Sequence, residues 1–187
     1  MIQIRLANKA DEHAIAALHA QSWRLTYDGL FTDHYMQHDL PRERATYWKT
    51  FFSQPVTDHR LVVAIDSAKS EKILGFACAF GRYDVEFGTV VENLHVHPEH
   101  KGAGLGRLLL GDVASWSLAR FPEDYLHLWV VEQNKAAIGF YQRLGGVVNQ
   151  QSAWTTPDGR NVPTMRFIWN EAARLIERCQ TTTRFLE

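Results

Sequence analysis

Apolar and polar residues alternate through Ile2-Gln3-Ile4-Arg5-Leu6, the two-residue period of a half-buried strand. From Asp11-Glu12 the period lengthens. Ala14, Ile15, Ala17, Leu18 and Trp23 recur at helical spacing, behind an acidic start. Tyr27-Asp28-Gly29-Leu30 predicts a turn, and Asp33 to Phe52 a second helical region interrupted near Pro41. The runs Arg60–Ile65, Ile73–Arg82 and Thr89–Val96 predict consecutive strands, with turn formers such as Asp66-Ser67 and Gly88 between them. Gly104–Phe121 carries Leu105, Leu109, Val113 and Trp116 on one helical stripe and stops at Pro122. Tyr125–Val131 is rich in β-forming residues. Asn134–Leu144 predicts a short helix closed by Gly145-Gly146. Val147–Thr155 and Val162–Trp169 predict a hairpin around Pro157-Asp158-Gly159, and Asn170–Cys179 a terminal helix.

Strands separated by helices imply an α/β chain with a mixed sheet covered by helices. The 187 residues suit one domain with a sizeable core. A formal net charge of -1 gives no global basic field for nucleic acid, so no nucleic-acid partner is expected. No apolar run approaches the about 20 residues of a spanning helix, and Met1–Leu6 does not read as a secretory signal, so no membrane partner is expected. The two cysteines, Cys78 and Cys179, make no disulfide framework and fit a reducing, cytoplasmic setting.

One segment carries chemistry. Glu92–His100 leads into Lys101-Gly102-Ala103-Gly104-Leu105-Gly106-Arg107, where a strand ends, Pro98 turns the chain and a glycine-rich loop opens a helix. Such a loop gathers backbone N–H groups at the positive end of a helix and suits a phosphate. The Walker spacing is absent, and glycines at 102, 104 and 106 do not match the dinucleotide fingerprint. The loop alone leaves two readings open: a phosphate cradle, or a strand-to-helix turn with no ligand.

The segment His97–Gly106 resembles the coenzyme-binding signature of the GNAT family of N-acetyltransferases, Arg/Gln-x-x-Gly-x-Gly/Ala. Gln21–Leu30 is similar to the first helix and loop of many bacterial members. Asn134–Gly146 resembles the family's Asn-x-x-Ala-x-x-Phe-Tyr-x-x-x-Gly-Phe. The likeness runs from about Ile2 to Trp169, with residues 170–187 as a helical extension that is also a candidate homodimer contact. Two positions depart from the pattern. Lys101 keeps a charge but loses the planar fork of Arg, and Gly146 replaces a Phe, which implies a loss of packing.

The resemblance implies a central, mostly antiparallel sheet with one splayed pair of parallel strands, ending at Val96 and Val131, flanked by helices. It implies acetyl-coenzyme A as co-substrate. The backbone of Leu94, His95 and Val96 would bind the pantetheine arm and acetyl carbonyl, and Lys101, Gly102, Ala103, Gly104, Leu105, Gly106 and Arg107 the pyrophosphate. Asn134 would bond the arm, and Tyr141, which shares its helix face, would protonate the departing thiolate. A phenol of pKa about 10 can donate to a thiolate. Asn134 also reads as a plain helix cap and Tyr141 as a core aromatic.

The acceptor amine must attack uncharged. A lysine-like amine costs about 4–5 kcal/mol to neutralise at pH 7, an α-amino group about 1. A general base is therefore expected. Glu92, two residues before Leu94, is the first candidate if burial raises its pKa, and His95 the second. Trp23, Tyr27, Trp129 and Trp154 are candidate acceptor-lining aromatics, Trp23 and Tyr27 foremost. The trio His95, His97 and His100 matches no zinc signature, so no metal is expected. Neither cysteine lies in a motif, which fits direct attack; a small-molecule amine is the expected acceptor. Protein N-termini or lysines as acceptors, and an acyl-coenzyme A or nucleotide module without turnover, are the rival readings.

Overall fold

A computed structural model describes residues 1–54, 57–68, 72–156 and 159–181. Seven strands form one sheet: β1 Ile2–Leu6, β2 His59–Asp66, β3 Lys72–Asp84, β4 Gly88–Val96, β5 Leu126–Val131, β6 Val147–Thr155 and β7 Asn161–Trp169. Among the described residues five α-helices accompany them: α1 Glu12–Thr26, α2 Leu40–Ser53, α3 Leu105–Arg120, α4 Lys135–Arg143 and α5 Ala172–Gln180. The strand order is β1-β2-β3-β4-β5-β7-β6. Among the described residues the sheet is mostly antiparallel with one parallel pair, β4 with β5. The expected mixed, helix-flanked sheet is thus present, each strand within a few residues of its sequence position. Pro157-Asp158 of the expected hairpin turn, and the end of the segment 170–187, lie outside the described residues.

The chain packs as two compact units: residues 1–77 with 93–109, and 78–92 with the chain from Leu110 onward. In the first, β1 runs antiparallel to β2, Ile4 opposite Ala64. Asn8 and Asp11 form a capping box on a short 3-10 turn ahead of α1. Arg5 Nη1 and Nη2 donate to the two carboxylate oxygens of Asp11, at 2.7 and 2.8 Å. The core side of α1 is not the expected apolar stripe. Ala14 and Ala17 are exposed, whereas Glu12, His19 and Ser22 are buried beside Ile15 and Leu18. Polar residues occupy this face because they have partners there, as shown below. Pro41 opens α2 from its first turn, where its missing N–H costs nothing. The irregularity near it is a π-helical turn, Tyr35–Asp39.

In the second unit β7 lies between β5 and β6, Trp129 opposite Arg166 and Trp154 opposite Val162. Leu110, Val113 and Ala114 of α3 are fully buried, while Trp116 is only half-buried, edge-on to Phe121. α5 buries Leu175 completely and belongs to this unit.

Candidate active site

In the first unit the glycine-rich loop follows a 3-10 turn, Pro98–His100. Gly102 and Gly104 have φ of +84° and +81°, a region that favours glycine. The N–H groups of Gly102 and Gly104 take no partner from the described residues. Leu105 and Gly106 open α3, where first-turn N–H groups have no intrahelical acceptor. Arg107 and Leu108 are the first to bond back, both to the Gly104 carbonyl. Residues 101–104 are exposed, and a Cβ on Gly102 or Gly104 would meet nothing within 4 Å. The loop therefore offers open backbone donors at a helix start, as a phosphate requires. Lys101 is exposed, and Arg107 buries an Nε without a partner.

The β4 end of the same unit carries Leu94, His95 and Val96, all half-buried. His95 Nδ1 lies 2.9 Å from Ser22 Oγ of α1. Its ring is 4.6 Å from that of His19 and 5.2 Å from that of Phe76. Burial pushes the His95 pKa down to about 3, and the positive charges of Arg44 and Lys101 add to it. His19 accepts from Trp48 Nε1 at 3.1 Å and is likewise held neutral, mainly by burial. Both imidazoles are thus uncharged at neutral pH.

Trp23 and Tyr27, the foremost acceptor-lining candidates, do come together, with ring centroids 4.9 Å apart. Their surroundings differ from expectation. The Arg44 guanidinium of α2 lies 4.8 Å from the Trp23 ring and 5.7 Å from Tyr47. Tyr27 is pushed up to about 12 by burial, an effect that the Arg44 charge partly offsets.

In the second unit the parallel ladder is short. Thr89 pairs with Leu126 and Val90 with His127. Asn134 caps α4 by accepting from the Ala137 N–H at 3.1 Å. Tyr141 is 8% exposed, and its ring lies 5.6 Å from Phe167 and 5.9 Å from Trp169. Glu92 is exposed, so the burial invoked to raise its pKa is missing. The β4 burial pattern does not alternate: four buried residues precede Glu92 and half-buried ones follow Asn93. A two-residue period therefore does not assign its faces.

Gly146 is not a loss of packing. A Cβ there would sit 2.8 Å from Trp169 Cζ2 and 3.0 Å from Phe167, so the Trp169 indole fills the space. Trp129 faces another internal cation: the Arg166 guanidinium lies 4.7 Å from its ring and 3.9 Å from Phe87. Trp154 is half-buried on β6.

The profile of the acetyltransferase (GNAT) family matches residues 20–146. The chain belongs to that family. It is therefore an acetyl-coenzyme A-dependent acyltransferase. It is 30% identical over 154 residues to the L-amino acid N-acyltransferase MnaT of Escherichia coli, covering 80% of this chain and 82% of that protein. It is 29% identical over 147 residues to the uncharacterized N-acetyltransferase YuaI of Bacillus subtilis, covering 76% and 78%. The fold matches the PaiA N-acetyltransferase of Thermoplasma acidophilum, solved with coenzyme A, at a TM-score of 0.67 and 20% identity. That match covers 88% of this chain and 98% of the other.

Within this GNAT chain, sequence reading missed Ser22, His19 and Arg44. Their signal was present: polar residues at 19 and 22 on the buried stripe of α1, and an arginine four residues before the buried Trp48 on α2. The expectation of no metal rested on the trio His95, His97 and His100. The structure separates His95, which is bonded to Ser22, from a different group. His97, Glu99 and His100 bring one ligand atom each within 4.8 Å of one another. Among the described residues no helix is long and apolar enough to cross a membrane.

Proposed function

We propose that this GNAT chain transfers an acetyl group from acetyl-coenzyme A directly to the amine of a small molecule. The observation that carries the donor half is the set of unpartnered N–H groups at Gly102 and Gly104 beside the first turn of α3. Lys101 and the backbone from Gly102 to Arg107 take the pyrophosphate, with charge from Lys101 and Arg107. The backbone of Leu94, His95 and Val96 takes the pantetheine arm and the acetyl carbonyl. Asn134 bonds the arm, and Tyr141 returns a proton to the coenzyme thiolate.

Glu92 serves as general base through solvent, since its carboxylate is exposed. His95 is the weaker base, because a pKa of about 3 makes protonation at neutral pH unfavourable. Trp23 and Tyr27 border the acceptor. Amine and thioester held together need no covalent enzyme intermediate. The buried thiols fit this, Cys78 being pushed far up by burial and by the Glu92 charge. The name of the L-amino acid relative supports a small acceptor over a protein. A cytoplasmic location agrees with the burial of both cysteines, Cys78 and Cys179. Calorimetric titration with acetyl-coenzyme A tests the donor half: saturable binding at one site per chain is expected, and the absence of heat and of thermal shift contradicts it.

A further inference from the structure

Trp23 and Tyr27 head the candidate acceptor-lining aromatics, whose faces suit an ammonium or a planar acceptor. In the structure a cation already occupies this group. Arg44 stacks on Trp23 at 4.8 Å and near Tyr47, and its charge acts on Tyr27, His19 and His95. A second cation there would meet like-charge repulsion in a partly buried setting. Stacking leaves the edges of a guanidinium free, and those edges are N–H donors. Arg44 Nε is buried and has no hydrogen-bond partner. Glu43 Oε2 pairs loosely with Nη2 at 3.7 Å, beyond hydrogen-bond reach, and is engaged by the Tyr35 hydroxyl at 2.8 Å. The Arg44 side chain as a whole keeps 19% of its surface exposed, and a planar carboxylate matches the fork of a guanidinium.

Resting on the acetyl-transfer reading above, we propose that Arg44 is the specificity-determining residue and selects acceptors that carry a carboxylate near the reacting amine. The same unit holds His95 bonded to Ser22 on the strand segment assigned to the acetyl carbonyl, so the Arg44 charge and that segment belong to one electrostatic neighbourhood. An acceptor of the α-amino acid type offers a carboxylate and an amine a few bonds apart. A polyamine offers only cations and would be repelled.

The test compares the common L-amino acids with their amides, and with putrescine and spermidine, by thiol release from acetyl-coenzyme A. At least one free acid should exceed its amide by roughly 10- to 100-fold in kcat/KM, the range of one charge-assisted contact. Arg44→Gln should erase that ratio, mainly through KM, while acetyl-coenzyme A still shifts the melting temperature. Arg44→Lys should keep part of it. Equal or better turnover of amides or diamines, or no turnover of any free acid, overturns the carboxylate assignment and leaves acetyl transfer standing. An unchanged ratio in Arg44→Gln does the same. If Arg44→Gln does not fold, the wild-type acid-to-amide ratio and Arg44→Lys decide. No acetyl-coenzyme A binding by the wild type overturns the acetyl-transfer reading, and this one with it.

Discussion

Trp169 occupies the volume that a side chain at Gly146 would need: a Cβ at 146 would lie 2.8 Å from Trp169 Cζ2. The ring has little freedom to withdraw, because its Nε1 donates to the Leu144 carbonyl at 3.0 Å. Gly146→Ala is therefore expected to overpack the site and destabilise the chain by about 1–3 kcal/mol. Thermal unfolding checks this, and an unchanged melting temperature would show that the indole moves aside. Where the family pattern has Phe at this position, this chain supplies the aromatic from β7 instead.

Tyr141 packs among Phe140, Phe167 and Trp169 with its ring almost wholly buried. Removing only the hydroxyl keeps that packing. Tyr141→Phe should lower kcat by about 100-fold or more, the usual scale of general acid catalysis, with coenzyme affinity nearly intact. Equal activity on the best acceptor would return Tyr141 to a purely structural role.

Gly104 has φ +81° with open space where a Cβ would go. Gly104→Ala therefore strains the backbone without a clash, at about 1–2 kcal/mol. The strain falls on the loop that presents the donor groups. Acetyl-coenzyme A affinity should fall about tenfold or more in a calorimetric titration, while the rest of the fold melts almost as before.

The pH dependence of stability follows from His95 and His19. Burial lowers the His95 pKa from 6.5 to about 3 in the folded chain, and lowers that of His19 as well. Between those values the unfolded chain binds a proton that the folded chain refuses. The stabilising effect is complete above about pH 6.5 and is lost as pH falls toward 3. Each histidine contributes at most about 1.4 kcal/mol per pH unit in that window. Urea unfolding at pH 7 and pH 5 should show the loss, and His95→Asn should flatten it. An identical slope in the variant would mean that His95 is solvated when protonated.

The strands are legible in the sequence because alternation and β-branched runs mark them. α4 is legible at both ends, through the Asn134 cap and Gly145 at φ +81°. The phosphate-type loop is legible because only glycine suits Gly102 and Gly104. The buried face of α1 is not. Ser22 is buried there through a partner 73 residues away, and His19 through one 29 residues away. A pattern of apolar residues cannot register polar groups that long-range partners allow inside. Glu92 escapes for a related reason: β4 buries four residues in succession, so two-residue alternation does not describe it.

Thiol release from acetyl-coenzyme A across a panel of small amines, with the acetylated product identified by mass, tests the central claim most directly. Stoichiometric thiol and N-acetyl product from a small amine are predicted. No release with any small amine, while peptides bearing free N-termini or lysines are acetylated, would contradict it.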